Sequence, residues 1–139
     1  MNESIIEMLQ KTPLWAGADS QDLSLVARTA KENNFESGKV ILHKGEPGDG
    51  FYLILEGEVE VRLDGMTLTK LGPGQFFGEM AIFDNQPRSA DVVAVTPSRI
   101  LFLSAPAFKT FLITNPKICM KMLGEFARRL RNTSKALTE

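Results

Sequence analysis

The chain is short of the residues that build covalent or metal-held scaffolds. Cys119 is the single cysteine among 139 residues, so no internal disulfide and no cysteine-based metal cluster can form. His43 is the single histidine, and with no second imidazole or ligand spacing near it a metal site has nothing to build on. No stretch approaches the roughly 20 apolar residues of a membrane span. The opening residues MNESIIEMLQ place acids where a secretion signal carries positive charge. The expectation is a cytoplasmic protein without a membrane anchor. An excess of either charge is missing too: 16 basic residues face 17 acidic ones, a net charge of −1. That balance excludes a surface built throughout to hold nucleic acid. Linkers, repeats and low-complexity tracts are also lacking.

What is present fits one globular domain, with 43% hydrophobic and 24% charged residues. Three parts are read: helices over 1–34, strands and tight turns over 35–104, helices over 105–139. In the first, Asp19 is placed to cap a helix carrying Leu23, Val26 and Ala27 at helical spacing. In the second, Phe51 to Leu55 is an unbroken apolar run of the kind a strand buried on both faces shows. Val59, Val61 and Leu63 alternate with polar residues, and Asp64-Gly65 predicts a two-residue hairpin turn. Many short strands between glycine turns point to a sandwich or barrel. In the third, Ser104 predicts one cap and Asn115-Pro116 a second helix start. The seam of that last helix is read as Cys119, Leu123, Phe126 and Leu130.

The segment with chemistry in it runs from Phe77 to Ala90, FGEMAIFDNQPRSA. A cyclic phosphate monoanion held away from water needs N–H donors and one permanent cation. Gly78 permits close backbone approach, and a helical turn from Glu79 onward would aim unpaired N–H groups at an anion. Arg88 supplies a planar fork of donors suited to phosphate oxygens. Glu79 would repel that phosphate unless it accepts a hydrogen bond from a ribose 2′-hydroxyl.

This segment resembles the phosphate-binding cassette of the cyclic-nucleotide-binding domain family, to which the bacterial cyclic AMP receptor, kinase regulatory subunits and cyclic-nucleotide-gated channels belong. The likeness extends upstream through Phe35 to Ile41, Gly45 to Asp49 and Phe51 to Val59, and through Leu71 to Phe77. It implies an α+β, mainly β fold: an eight-stranded jelly roll, or double-stranded β-helix, flanked by N-terminal helices and a C-terminal helix. It implies a cassette at 77–90 in which Glu79 binds the ribose and Arg88 the phosphate. Gly78, Met80, Ala81, Ser89 and Ala90 complete the ligand-binding set, mainly through backbone N–H groups. The implied ligand is cAMP, ahead of cGMP, with no cofactor and no metal. Strand alternation predicts that Asp91 shares a face with Ser89, close to the anion.

The last helix is basic, with Lys117, Lys121, Arg128, Arg129, Arg131 and Lys135 against Glu125 and Glu139. In the family such a helix covers the bound base or pairs with its twin in a dimer, so Arg128, Arg129 and Arg131 are candidates to stack on a purine. The leading expectation is a stand-alone sensor that moves this helix and signals to a partner protein. Too few residues follow Pro116 for a DNA-reading helix-turn-helix, and no metal and carboxylate set for hydrolysis is present. A ligand-free interaction module, or a transcription regulator without its own DNA-binding domain, is the alternative, and enzymatic activity is not expected.

Overall fold

The computed structural model describes residues 2–138, with side chains from 5 to 132. Helices α1 (Asn2–Gln10) and α2 (Ser20–Thr29) precede strands β1 (Lys31–Phe35), β2 (Val40–Leu42), β3 (Gly50–Glu56), β4 (Val59–Leu63), β5 (Met66–Leu71) and β6 (Phe76–Phe77). Then come α3 (Met80–Asp84), β7 (Asp91–Ala94), β8 (Ser98–Ser104), α4 (Ala105–Thr114) and α5 (Pro116–Thr138). The helix starts follow from local chemistry. Asp19 keeps an extended backbone and accepts the Gln21 N–H at 2.9 Å, and Ser104 accepts that of Ala107. Each satisfies a donor that a helix start leaves without a partner. Pro116, lacking an N–H, opens α5 at no cost in hydrogen bonds.

The strands form two antiparallel four-stranded sheets, ordered β1-β8-β3-β6 and β2-β7-β4-β5. This is the jelly roll that the family resemblance implied. Strand β3 shows why its apolar run is unbroken. Tyr52 and Ile54 point between the sheets, where they meet Leu42, Val59, Phe77, Val92 and Ile100. Phe51, Leu53 and Leu55 point the other way, into a second core closed by Leu23, Phe108, Phe111, Ile118 and Met122 of the helices. Each such side chain contributes roughly 1.5–3 kcal/mol on burial, so β3 ties both layers together. Asp64 and Gly65 both take left-handed backbone, φ 52° and 80°, and close the β4–β5 hairpin.

Two expectations need correction. The roll begins at Lys31 rather than Phe35, because Lys31–Phe35 pairs antiparallel with β8. Lys31 to Asn34 are all exposed, so no alternation marks the strand in the sequence; the ladder to β8 makes it. The α5 seam is also rotated. Ile118 and Met122 are its buried residues, while Leu123 and Leu130 are 53% and 68% exposed. Cys119 and Phe126 pack part-buried beside Ile118 and Met122. The inward face includes Glu125 and Arg129, and these polar residues hide it from an apolar-spacing rule. The side chains of Lys135 and Glu139 lie outside those described.

Candidate functional site

The cassette sits where β6 leaves the sheet, and its entry is set by Gly78. This residue takes φ +85°, and a β-carbon on it would come within 2.9 Å of Tyr52 and 3.0 Å of the Arg88 guanidinium. Only glycine tolerates both the conformation and the crowding. The five-residue helix α3 follows at once and stops at Asn85, whose left-handed backbone, φ 55°, turns the chain back toward β7. Ile82 anchors α3 in the helix-side core. Met80 is 64% exposed, and Ala81 is half-buried. Ala81 abuts the turn before β3: a β-carbon on Gly48 would lie 2.3 Å from that of Ala81. Two small residues thus let the 44–49 turn mesh with the cassette.

Arg88 is brought in by backbone pairing with the same turn. Its N–H donates to the Glu46 carbonyl and its carbonyl accepts from the Gly45 N–H, both at 2.8 Å. The side chain is then driven inward and is 7% exposed as a residue. Nη1 donates to the Gly78 carbonyl at 2.5 Å, and Nη2 to Asp49 Oδ1 at 2.7 Å. The Tyr52 hydroxyl donates to both Asp49 oxygens at 3.1 Å, and the Tyr52 ring lies stacked on Phe77. Burial, then the charge of Asp49, pushes the Tyr52 phenol well above its ordinary range, so it is a fixed donor at neutral pH. A guanidinium carries five N–H donors, and these two bonds of Nη1 and Nη2 engage only part of them.

Glu79 is the second buried charge, 3% exposed. Burial raises its carboxyl above the ordinary value, while its own backbone N–H, Arg129 and Arg88 act in the opposite direction. Arg129 reaches it from α5, with Nη1 donating to Glu79 Oε1 at 3.0 Å. The Arg129 guanidinium also lies 4.8 Å over the Phe76 ring, and its Nε donates to Glu125 Oε1 at 3.1 Å.

The model of the family described as "Cyclic nucleotide-binding domain" matches residues 32–115, more than half of the chain. The chain belongs to that family. It is 30% identical over 138 residues to a CRP-like cAMP-activated global transcriptional regulator of Mycobacterium tuberculosis, covering 96% of this chain and 62% of that one. It is 33% identical over 111 residues to a cAMP-dependent protein kinase regulatory subunit of Yarrowia lipolytica, covering 80% of this chain and 30% of the relative. Among solved structures, the Thermus thermophilus catabolite activator protein superposes with a TM-score of 0.80 at 31% identity, over 91% of this chain and 62% of that one. The chain therefore spans less than two thirds of these relatives.

Of the cassette residues expected from sequence, Glu79 and Arg88 are buried, Arg88 bonds the Gly78 carbonyl, and Gly78, Ala81 and Ala90 are half-buried. Ser89 and Met80 are exposed. The three arginines of α5 separate. Arg129 turns inward to Glu79, Arg128 pairs with Glu125, and Arg131 is exposed. Asp91 is spoken for: its Oδ1 accepts the Lys44 N–H at 2.7 Å, so it braces the 44–49 turn. His43 bonds to Glu46 through Nδ1 at 2.9 Å, and no group able to hold a metal occurs among the described residues. No helix among the described residues is long and apolar enough to cross a membrane. Asp49, Tyr52 and Gly48 were missed as site residues. The signal was Gly48-Asp49 just ahead of a strand, but a turn needs no further reason to hold those two residues.

Proposed function

We propose that this chain is a cyclic nucleotide sensor of the cAMP type, a binding module rather than a catalyst, whose output is the position of α5. The observation that carries the reading is one buried guanidinium and one buried carboxylate on the two ends of a single cassette. Arg88 suits the phosphate, Glu79 the ribose 2′-hydroxyl, and the first amides of α3 have no intrahelical acceptor. Gly78, Met80, Ala81, Ser89 and Ala90 surround the phosphate through backbone N–H groups. Two relatives are named for cAMP, which supports that ligand ahead of cGMP. A ligand shifts α5 only by its difference in affinity for the two positions. Arg129 gives α5 a direct contact with the cassette through which that difference arises, and a protein partner would read the change.

The test is a thermal-shift series with cAMP, cGMP and 5′-AMP. At a hundredfold excess over Kd a bound ligand adds about 2.7 kcal/mol, several degrees for a domain of this size. Stabilisation by a cyclic nucleotide and not by 5′-AMP is expected, and absence of any shift refutes the reading.

One observation favours a second reading, a ligand-independent interaction module. Arg88 is already compensated by Asp49 and Glu79 by Arg129, so both buried charges of the cassette have a partner of opposite sign within the protein. Under that reading no nucleotide shifts the melting curve.

A further inference from the structure

Arg88 meets a carboxylate of the protein's own before any ligand arrives. Its side chain is buried, while that of Asp49, bonded to its Nη2, is 60% exposed, so the carboxylate forms the solvent side of the pair. Asp49 is fixed there from several directions. The Tyr52 hydroxyl donates to both of its oxygens at 3.1 Å, and its backbone carbonyl accepts the Ala105 N–H at 3.0 Å. Tyr52 is itself clasped between the rings of Phe77 and Phe102. A donating hydroxyl holds a carboxylate without removing its charge.

The other charges nearby do not offset this one. Glu79 is paired with Arg129, and the charge of Glu46 reaches Tyr52 as that of Asp49 does. The 44–49 turn carries one lysine, Lys44, whose Nζ lies 3.8 Å from Asp64. His43 faces Glu46, and Asp91 accepts the Lys44 N–H. An anion on the remaining donors of Arg88 therefore enters a site where cation and carboxylate are already matched. Its first charge is met by those hydrogen bonds. For a second charge, the pull of Arg88 is cancelled by the push of Asp49, and the lost hydration is not offset.

We infer that Asp49, held in place by the Tyr52 hydroxyl, is a specificity-determining residue of the phosphate subsite: it admits a phosphodiester monoanion and rejects the dianion of a phosphomonoester. The inference rests on the cyclic nucleotide reading above and deepens it. A cyclic nucleotide is then told from its ring-opened product by charge as well as by shape. Selectivity arises from a repulsive element built against the competitor.

Competition against a fluorescent cAMP analogue would give the affinities of cAMP and 5′-AMP for the wild type, Asp49→Asn and Tyr52→Phe. Measurements at about pH 7.5 and about pH 5 bracket the second ionisation of a phosphomonoester, at about 6. Both nucleotides carry a 2′-hydroxyl, so the contribution of Glu79 to ribose binding is common to the two. In the wild type the preference for cAMP should fall roughly tenfold on acidification, the effect of one unit charge at this range in a half-exposed site. Asn at position 49 still accepts from Arg88 but carries no charge. Asp49→Asn should therefore narrow the preference roughly tenfold at the higher pH and abolish its fall with acid. Tyr52→Phe should narrow it by less, about threefold, because the carboxylate remains but is no longer held. A preference equal in wild type and Asp49→Asn, or one that ignores pH in the wild type, assigns the selection to ring shape alone. Either result overturns the inference and leaves the sensor reading standing, as does a 5′-AMP that competes for neither protein. Failure of cAMP to bind the wild type overturns the sensor reading, and the inference with it.

Discussion

At the scale of single residues, the site is two charges that the protein has already answered for itself. Arg88→Ala removes the donor fork and should lower cyclic nucleotide affinity by about a hundredfold or more, the worth of a bidentate charge-assisted pair, while the melting temperature of the roll changes little. Arg88→Lys keeps the charge but cannot span Asp49 and Gly78 together, so calorimetry should place it near the alanine variant. Glu79 sets a pH dependence. Its carboxyl is raised by burial above the ordinary 4.5, so the folded chain favours the protonated form. Stability from that preference is full below the ordinary carboxylate value and is lost as pH rises through the raised one. Thermal melts without nucleotide should therefore decline across that window, and Glu79→Gln should flatten the decline. Nucleotide binding should run the other way, the advantage of cAMP over its 2′-deoxy analogue growing as Glu79 ionises.

At the scale of elements, α5 is the part that sequence reading placed least well. Its start at Pro116 and its helical character were legible from the Asn115-Pro116 pair and the apolar spacing. Its inward face was not, because Glu125 and Arg129 occupy it for the sake of the cassette, and a hydrophobic periodicity cannot see a buried ion pair. The rotation has a measurable signature. Met122→Ala opens a cavity beside Ile118 and should cost about 2–5 kcal/mol in chemical denaturation, whereas Leu123→Ala, on the exposed side, should stay within about 0.5 kcal/mol. The reverse order would restore the seam of Cys119, Leu123, Phe126 and Leu130. Strand β1 escaped notice for a related reason. Its four exposed polar residues have no pattern of their own, and their strand form is owed to β8 alone.

At the scale of the molecule, the roll was readable because β3 is buried on both faces, the hairpin turn carries Asp-Gly, and the capping residues announce the helices. The family likeness supplied the strand count and the cassette boundaries. What neither supplied was the pairing of distant segments: Asp49 to Arg88, and Arg129 to Glu79 across 50 residues of chain. Such pairings are set by the closed three-dimensional path and leave no local mark.

The mesh of Gly48 with Ala81 has a use. Val or Leu at position 48 would collide with α3, so Gly48→Val should blunt nucleotide binding even though residue 48 offers no side chain to a ligand. The same contact, with the backbone bonds from Gly45 and Glu46 to Arg88, ties the 44–49 turn to the cassette. A dye carried at exposed Pro47, through Pro47→Cys in a Cys119→Ala background, would then sit on the outer surface and change its emission as the interior rearranges, turning the domain into its own optical reporter.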